Sequence, residues 1–256
     1  MILNDSIVIA DTQIDKFSPL QHIHALGNYI CEAQPEYLIH IGDHWDLPSL
    51  SSYASGLEKE NRRLDDDLKA GFDALQIITD CIDKYNAGRK YKLYKPKKHF
   101  IMGNHENRLK RFVDDHPILL GCFDLHGMIT KQGWEVHPFL EPLFINGVCY
   151  IHYLPAAASS RPVGGSIDNK LNKFMHCFVH GHQQQFQYGR RQNLMGQPHF
   201  GACAGSFYMH DEGYRGANNT EIRGFLHLKS YLNRYEYLDH DVEFVSLERL
   251  LQQYGE

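Results

Sequence analysis

The sequence predicts an α/β fold, and three observations carry that expectation. First, five short apolar runs each stop abruptly in residues of metal-ligand type: IVIADTQID (7–15), YLIHIGDHWD (37–46), HFIMGNHENR (99–108), VCYIHYLP (148–155) and FVHGHQQQF (178–186). Second, Leu20, Ile23, His24, Gly27 and Ile30 fall on one helical face between the first two runs, which gives a strand–helix–strand crossover and therefore a parallel strand pair. Third, Leu64, Leu68, Phe72, Leu75, Ile78, Ile82 and Tyr85 recur at spacings of three and four with charged residues between them, the pattern of a long amphipathic helix.

The stretch from Tyr37 to Asp46 organises the rest. Its apolar half reads as a buried strand, and Gly42-Asp43 ends it, so Asp43 is delivered to a strand tip with little freedom. Strand tips are where α/β proteins place their chemistry.

Bulk properties exclude several classes. At 256 residues the chain fits one domain, 1–256, with an insertion over about 48–98 that holds the long helix. Its 43% hydrophobic and 22% charged residues are those of an ordinary globule. A net charge of −5 gives no global electrostatic case for nucleic acid. Six scattered cysteines without a C-x-x-C pair read as reduced core residues. The apolar run in MILNDSIVIAD is too short for a signal sequence and no run is long enough to span a membrane, so the expected location is cytoplasmic.

Taken in order, Ser6 to Ala10 is the first predicted strand. Ser18-Pro19 is an N-cap with proline at the first helical position of the crossover helix. Asn86-Ala87-Gly88 closes the long helix. Arg89 to Lys98, RKYKLYKPKK, interleaves six basic residues with two tyrosines, a composition suited to a single-stranded nucleic-acid track or to a solvated loop. After His99–Met102, Arg108, Lys110 and Arg111 lie on a helix whose basic first turn opposes the helix dipole, charges that serve either an anionic ligand or simply the solvated surface. Val148–Tyr153 and Phe174–Val179 are further strands. The C-terminal runs FGACAGSF, FLHLK, RYEYL and VEFVS predict an antiparallel second sheet, closed by a helix at Leu247–Tyr254.

Read together, the five runs resemble the calcineurin-like metallophosphoesterases. That family carries, in order, D-x-H, G-D-x-x-D, G-N-H-[DE], a lone His after a strand, and G-H-x-H. Here the corresponding residues are Asp11-Thr12-Gln13, Gly42-Asp43-His44-Trp45-Asp46, Gly103-Asn104-His105-Glu106, His152, and Gly181-His182-Gln183-Gln184. The compact G-N-H-E-x-R arrangement is similar in style to phage- or prophage-borne members. The resemblance implies a four-layer α/β/β/α sandwich with two divalent metal ions across the strand tips. One metal would be held by Asp11, Gln13, Asp43 and Gln184, the other by Asp43, Asn104, His152 and His182, with Asp43 bridging.

Two family histidines are glutamine here, and both fall on the first metal. That makes the first site all-oxygen, which suits Mn²⁺ first, Mg²⁺ next, and Zn²⁺ least. The implied activity is hydrolysis of a phosphodiester in nucleic acid or a nucleotide by a metal-activated water, with His105 as general acid and Arg108 on the substrate. The expected partner is a phosphoester substrate, DNA or RNA among them, and no membrane. A phosphomonoesterase acting on nucleotides or phosphoproteins is the first alternative. A catalytically degenerate scaffold that binds nucleic acid or protein is the second, and Gln13 with Gln184 is the feature in its favour.

Overall fold

The computed structural model describes residues 2–51, 62–157, 159–211 and 222–255, so part of the predicted insertion, 52–61, lies outside the described residues. The first strand, β1 (Ile2–Ile9), is followed by helix α1 (Gln21–Ala33) and by β2 (Tyr37–His40). β1 and β2 pair in parallel with Ile9 opposite His40, which sets Asp11 and Asp43 on one edge, as the crossover predicts.

Helix α1 begins later than expected. Its N-cap is Leu20, without a side-chain cap, because Ser18 is engaged in the loop, where its Oγ accepts from the Asp15 amide (3.0 Å) and meets Asp15 Oδ1 (3.0 Å). The buried face is also rotated from the predicted one: His22, Ile23, Leu26 and Ile30 point inward, whereas His24 is exposed.

Helix α2 (Leu64–Asn86) is the predicted long amphipathic element, and it ends at Ala87. Gly71 in its middle is explained by contact: a Cβ there would overlap the Trp45 indole, whose Nε1 donates to the Leu68 carbonyl (3.1 Å). This seats α2 against the loop that follows β2. Strand β3 (Lys97–Ile101), helix α3 (Glu106–Asp115), helix α4 (Leu125–Lys131) and the short edge strand β4 (Glu135–His137) complete this half.

A second group of strands follows: β5 (Leu143–Ile145), β6 (Val148–Ile151), β7 (Cys177–His180), β8 (Phe186–Gln192) and β9 (Pro198–Ala204), with helix α5 (Ile167–Phe174) between β6 and β7. The chain then returns through β10 (Gly224–Leu232) and β11 (Leu238–Ser246) to helix α6 (Leu247–Tyr254). Sheet order is β11-β10-β1-β2-β3-β4 in one sheet and β5-β6-β7-β9-β8 in the other.

The C-terminal runs therefore do not build a second sheet of their own. β10 pairs antiparallel with β1, Ser6 opposite Leu228, because the first strand of the parallel core otherwise has an open edge. RYEYL is mostly the turn between β10 and β11 rather than a strand.

Side-chain alternation makes the layers. In β1, Ile7 and Ile9 face a core shared with α1, α2 and α6, while Val8 and Ala10 face the other sheet. Ile39, Ile41, Val148, Val179 and Ala202 join Val8 between the sheets. Ile167 and Leu171 of α5 cover the outer face of the second sheet against Ile151 and Phe178. The result is helix, sheet, sheet, helix: the expected four-layer α/β/β/α sandwich.

The basic tract 89–98 departs from its predicted use as a continuous track. Tyr94 is buried and its hydroxyl donates to the Pro35 carbonyl (3.0 Å), Lys97 pairs with Glu36 (2.9 Å), and Lys98 bonds the Gln132 carbonyl (2.7 Å) and Thr79. It also stands at the N-terminal end of β3, about 13–17 Å of strand away from the tips that carry Asp43 and Asn104. All six cysteines are free, and Cys122 is exposed rather than in the core. No described helix is long and apolar enough to cross a membrane.

Two buried histidines away from the strand tips tie stability to pH. Burial pushes His22, packed on Phe207, and His240 each down to about 4 from an ordinary value near 6.5. The folded state therefore takes up its protons later than the unfolded chain does. Their contribution is whole above pH 6.5 and falls as pH drops toward 4, by about 1.4 kcal/mol per pH unit for each. Urea midpoints measured at pH 7 and pH 5 should show a clear loss at pH 5, and equal midpoints would contradict neutral burial.

Candidate metal centre

The candidate residues converge from both sheets. Asp11 follows β1, Asp43 follows β2, Asn104 and His105 follow β3, His152 follows β6, and His182 and Gln184 follow β7. Backbone pairing continues past the tips: the Asp11 amide donates to Gly42 O (3.1 Å), that of Gln13 to Asp43 O (3.0 Å) and that of Gly181 to His152 O (2.9 Å). The His182 amide crosses to Asp11 Oδ2 (2.9 Å), which ties the second sheet to the first.

Backbone strain is concentrated here. Asp11, Gln13, Asp43, His182 and Gln184 have φ of 49°, 42°, 52°, 66° and 55°. These left-handed conformations are disfavoured for residues with a Cβ, at about 1–3 kcal/mol each. Close approach adds a further constraint, since a Cβ on Gly103 would overlap the Asp43 amide and carboxylate and Glu106 Oε2.

Among the described residues, Asp43, His152 and His182 bring one ligand atom each to within 4.8 Å of one another. His152 Nδ1 lies 2.8 Å from the Ile41 carbonyl, which can only accept, so Nδ1 carries the proton. The neutral ring then presents its Nε2 lone pair to Asn104 Oδ1 at 2.8 Å and to Asp43 Oδ1 at 3.4 Å. With that ring neutral, its lone pair, one of Asn104 Oδ1 and the one that Asp43 Oδ1 keeps beside its bond from the His105 amide (2.9 Å) converge, an arrangement that a cation satisfies. On the other side of Asp43, the buried atoms Asp11 Oδ1 and Gln13 Oε1 have no hydrogen-bond partner. Gln184 Oε1 accepts from the Tyr208 hydroxyl (3.2 Å). The donors in place thus fit divalent cations.

Electrostatics agree with this. Burial and the neighbouring Asp43 carboxylate hold Asp11 well above the usual carboxylate range. Asp43 is pushed up by burial, but the His105 charge and the bond from the His105 amide help to keep it low. Burial and the adjacent His152 push His182 down to about 4, which leaves it neutral and able to ligate.

His105 is held from two sides. Its Nδ1 donates to the Asp46 carbonyl (3.0 Å), and Arg108 Nη2 lies 2.7 Å from Nε2, which stands 3.6 Å from Asp43 Oδ2. Arg108 also donates through Nη1 to Asp46 O (2.9 Å), so the structure places this guanidinium against His105 and its loop. Burial lowers His105, but Asp43 and Asp46 prevail and raise it to about 9.

Several residues escape the sequence reading. Glu106 is the first: its Oε1 accepts from the amides of His44 (2.7 Å) and Trp45 (3.1 Å), and its Oε2 from those of Asp43 (2.9 Å) and Gly103 (2.7 Å). Its place in the G-N-H-E run is the signal, though a run alone shows no target for the carboxylate. Thr12 Oγ1 lies 2.7 Å from His44 Nδ1 and 3.1 Å from His40 Nε2. Lys170 of α5, fully buried, reaches Gln183 Oε1 (2.6 Å) and His180 Nε2 (3.0 Å), which anchors the loop that carries His182. Phe139, half-buried, and Tyr153 flank the site, with the Tyr153 ring 4.9 Å from that of His182.

No family model matches the chain. One curated relative, the Gene 54 protein of Mycobacterium phage L5, is 41% identical over 54 residues, which is 21% of this chain and 21% of that protein. The matched part thus spans about a fifth of the relative's length. Among solved structures, the chain is similar to Vps29 of Chaetomium thermophilum, with TM-score 0.40, 10% identity, and coverage of 95% of this chain and 96% of that one. It is likewise similar to Yfce, a phosphoesterase from E. coli (0.39, 9%, covering 95% and 99%). A conserved protein with a predicted phosphoesterase designation from Streptococcus pneumoniae TIGR4 is a third (0.38, 9%, covering 96% and 90%).

Replacing Glu106 tests the clamp. Glu106→Gln puts an NH2 group against amide donors and leaves at least one of them unpaired, so stability should fall by about 1–3 kcal/mol in urea unfolding. Divalent-cation affinity, read by calorimetry, should fall by about 10–100-fold, because the loops that present Asp43 and Asn104 are no longer held together.

Proposed function

We propose that this chain, a four-layer sandwich carrying the metallophosphoesterase motif order at its strand tips, is a divalent-metal-dependent phosphoesterase. The observation that carries this reading is the meeting of acceptor atoms: His152 Nε2, Asn104 Oδ1 and Asp43 Oδ1 on one side, and the unpartnered Asp11 Oδ1 and Gln13 Oε1 on the other. Two cations held there, one by Asp11, Gln13, Asp43 and Gln184 and one by Asp43, Asn104, His152 and His182, would supply Lewis acidity to a phosphoryl group and to water.

The chain's own residues do the remainder. We assign the general acid to His105, whose Nε2 stands 3.6 Å from Asp43 Oδ2 and can deliver a proton to a leaving oxygen once Arg108 turns from that nitrogen to the phosphate. Asp46 fixes the ring through Nδ1, and Arg108, freed from Nε2, is the cation we assign to the phosphate. The buried walls around Asp11 and Asp43 exclude bulk water from the reacting face.

The substrate we infer is a phosphodiester of a nucleotide or nucleic acid. Its support is the half-buried Phe139 ring, which packs on His152 and the buried Tyr153 at the edge of the site and can take a stacked base. The tract 89–98 does not contribute, given its place at the far end of β3.

The first test is hydrolysis of bis-p-nitrophenyl phosphate, p-nitrophenyl phosphate and end-labelled DNA with Mn²⁺, Mg²⁺ and Zn²⁺. Mn²⁺-dependent cleavage of the diesters that vanishes in Asp43→Ala is expected, with His105→Ala lowering kcat by about 10²–10⁴. Faster cleavage of the monoester would transfer the reading to a phosphomonoesterase, and no turnover with any metal would leave a binding scaffold.

The glutamines make a separate prediction. With Gln13→His and Gln184→His together, the first site gains two imidazole nitrogens, and calorimetry should show its affinity for Zn²⁺ rising more than that for Mn²⁺. An unchanged Zn²⁺ to Mn²⁺ ratio would remove these side chains from the ligand set.

A further inference from the structure

A second group of ligand-type side chains lies away from these tips, on the edge strand β4 and its neighbour β3. In that pair His99 stands opposite Glu135 and Ile101 opposite His137, so the side chains of His99, Glu135 and His137 share one face of the sheet. The His99 Nδ1 to His137 Nε2 distance is 3.2 Å. The Glu135 carboxylate straddles the two rings, with Oε2 3.5 Å from His99 Nδ1 and Oε1 3.8 Å from His137 Nε2. One ligand atom from each residue lies within 4.8 Å of the other two.

These separations match a coordination sphere. Nitrogens bound at 2.0–2.1 Å to a tetrahedral ion are about 3.3 Å apart, and a nitrogen and a carboxylate oxygen are separated by nearly the same distance. A hydrogen bond between the rings accounts for the nitrogen pair, and the carboxylate set across both nitrogens brings a third donor to the same point. We propose that His99, Glu135 and His137 form a separate cation site that takes a borderline transition ion, Zn²⁺ being the natural choice, with solvent completing the sphere.

The donor set differs from the all-oxygen set at the tips. Two imidazoles and one carboxylate select Zn²⁺, Co²⁺ or Ni²⁺ over Mn²⁺ and Mg²⁺, whereas Asp11, Gln13, Asp43 and Gln184 are all oxygen. The site also has a structural use. β4 is only three residues long, and the His137 carbonyl accepts from the Met102 amide (3.0 Å), next to Gly103. An ion joining His137 to His99 would pin this short edge strand beside the loop that presents Asn104. The proposal does not depend on the phosphoesterase reading, because its ligands lie on other residues and its readout is binding.

Cobalt titration of the full chain tests it. In an Asp43→Ala/His182→Ala background, one equivalent of Co²⁺ should bind with visible absorption typical of nitrogen ligation, and Zn²⁺ should displace it. Glu135→Ala should weaken that binding by about tenfold or more, and His137→Gln should abolish it. Glu135 is two-thirds exposed (67%), so its removal leaves the fold alone. As a second measurement, Glu135→Ala in the otherwise native chain should reduce tightly bound Co²⁺ by one equivalent. Absence of stoichiometric Co²⁺ in the background variant, or equal Co²⁺ binding with and without Glu135, would overturn the proposal.

Discussion

The site depends on one buried carboxylate that does not face it. Glu106 accepts from four backbone amides, three in the loop after β2 and one in the loop after β3. Burial and the Asp43 charge both oppose its ionised form and raise it above the ordinary glutamate range, while the amide of Trp45 and its neighbours oppose that rise. Those amides point inward at the end of a sheet where no further strand can take them. Without an acceptor each would be a buried unsatisfied donor, at about 1–3 kcal/mol. Glu106 therefore settles the backbone of two loops at once and so fixes where Asp43 and Asn104 point.

The same logic explains the strained backbone. A left-handed φ at Asp11, Gln13, Asp43, His182 and Gln184 turns each side chain back toward a common centre instead of letting it continue along its strand. Such conformations persist only where surrounding bonds over-determine them. Here those bonds run between strands and between sheets: Asp11 N to Gly42 O, Gln13 N to Asp43 O, His182 N to Asp11 Oδ2, and Phe207 N to Asp11 O. Held in this way, the donors are preorganised, and a cation can enter without a large rearrangement of the chain.

Much of this was legible in the sequence, for a physical reason. A buried strand that stops at Gly-Asp or Gly-Asn leaves a strong local signal, so the tips and the parallel β1–β2 pair could be located from the apolar runs. The long helix was legible from its three-and-four spacing, although neither that spacing nor the glycine itself shows that Gly71 is there to admit Trp45. Long-range partners were not legible. Nothing near Glu106 in sequence shows that it bonds residues some sixty positions earlier, nothing in α5 shows that Lys170 reaches Gln183, and the return of β10 to β1 is a choice made by an open sheet edge. The start of α1 was misplaced because Ser18-Pro19 has the composition of a cap, while the Ser18 hydroxyl is spent on a turn with Asp15.

The distribution of the two glutamines bears on how the centre would behave. The set with Asn104, His152 and His182 keeps its imidazoles, and its geometry is held by the Ile41 carbonyl acting on His152. The other candidate set has amides at Gln13 and Gln184, and both hold strained backbone, with φ of 42° and 55°. A chain that no longer used those positions would gain stability by relaxing them, since glutamine has no preference for the left-handed region. Tyr208 further orients the Gln184 carbonyl by donating to it, which a side chain without a role does not require. Strain held at oxygen-bearing side chains therefore fits the hard-cation site proposed above better than an idle one, since an idle site has no reason to hold a conformation that costs energy.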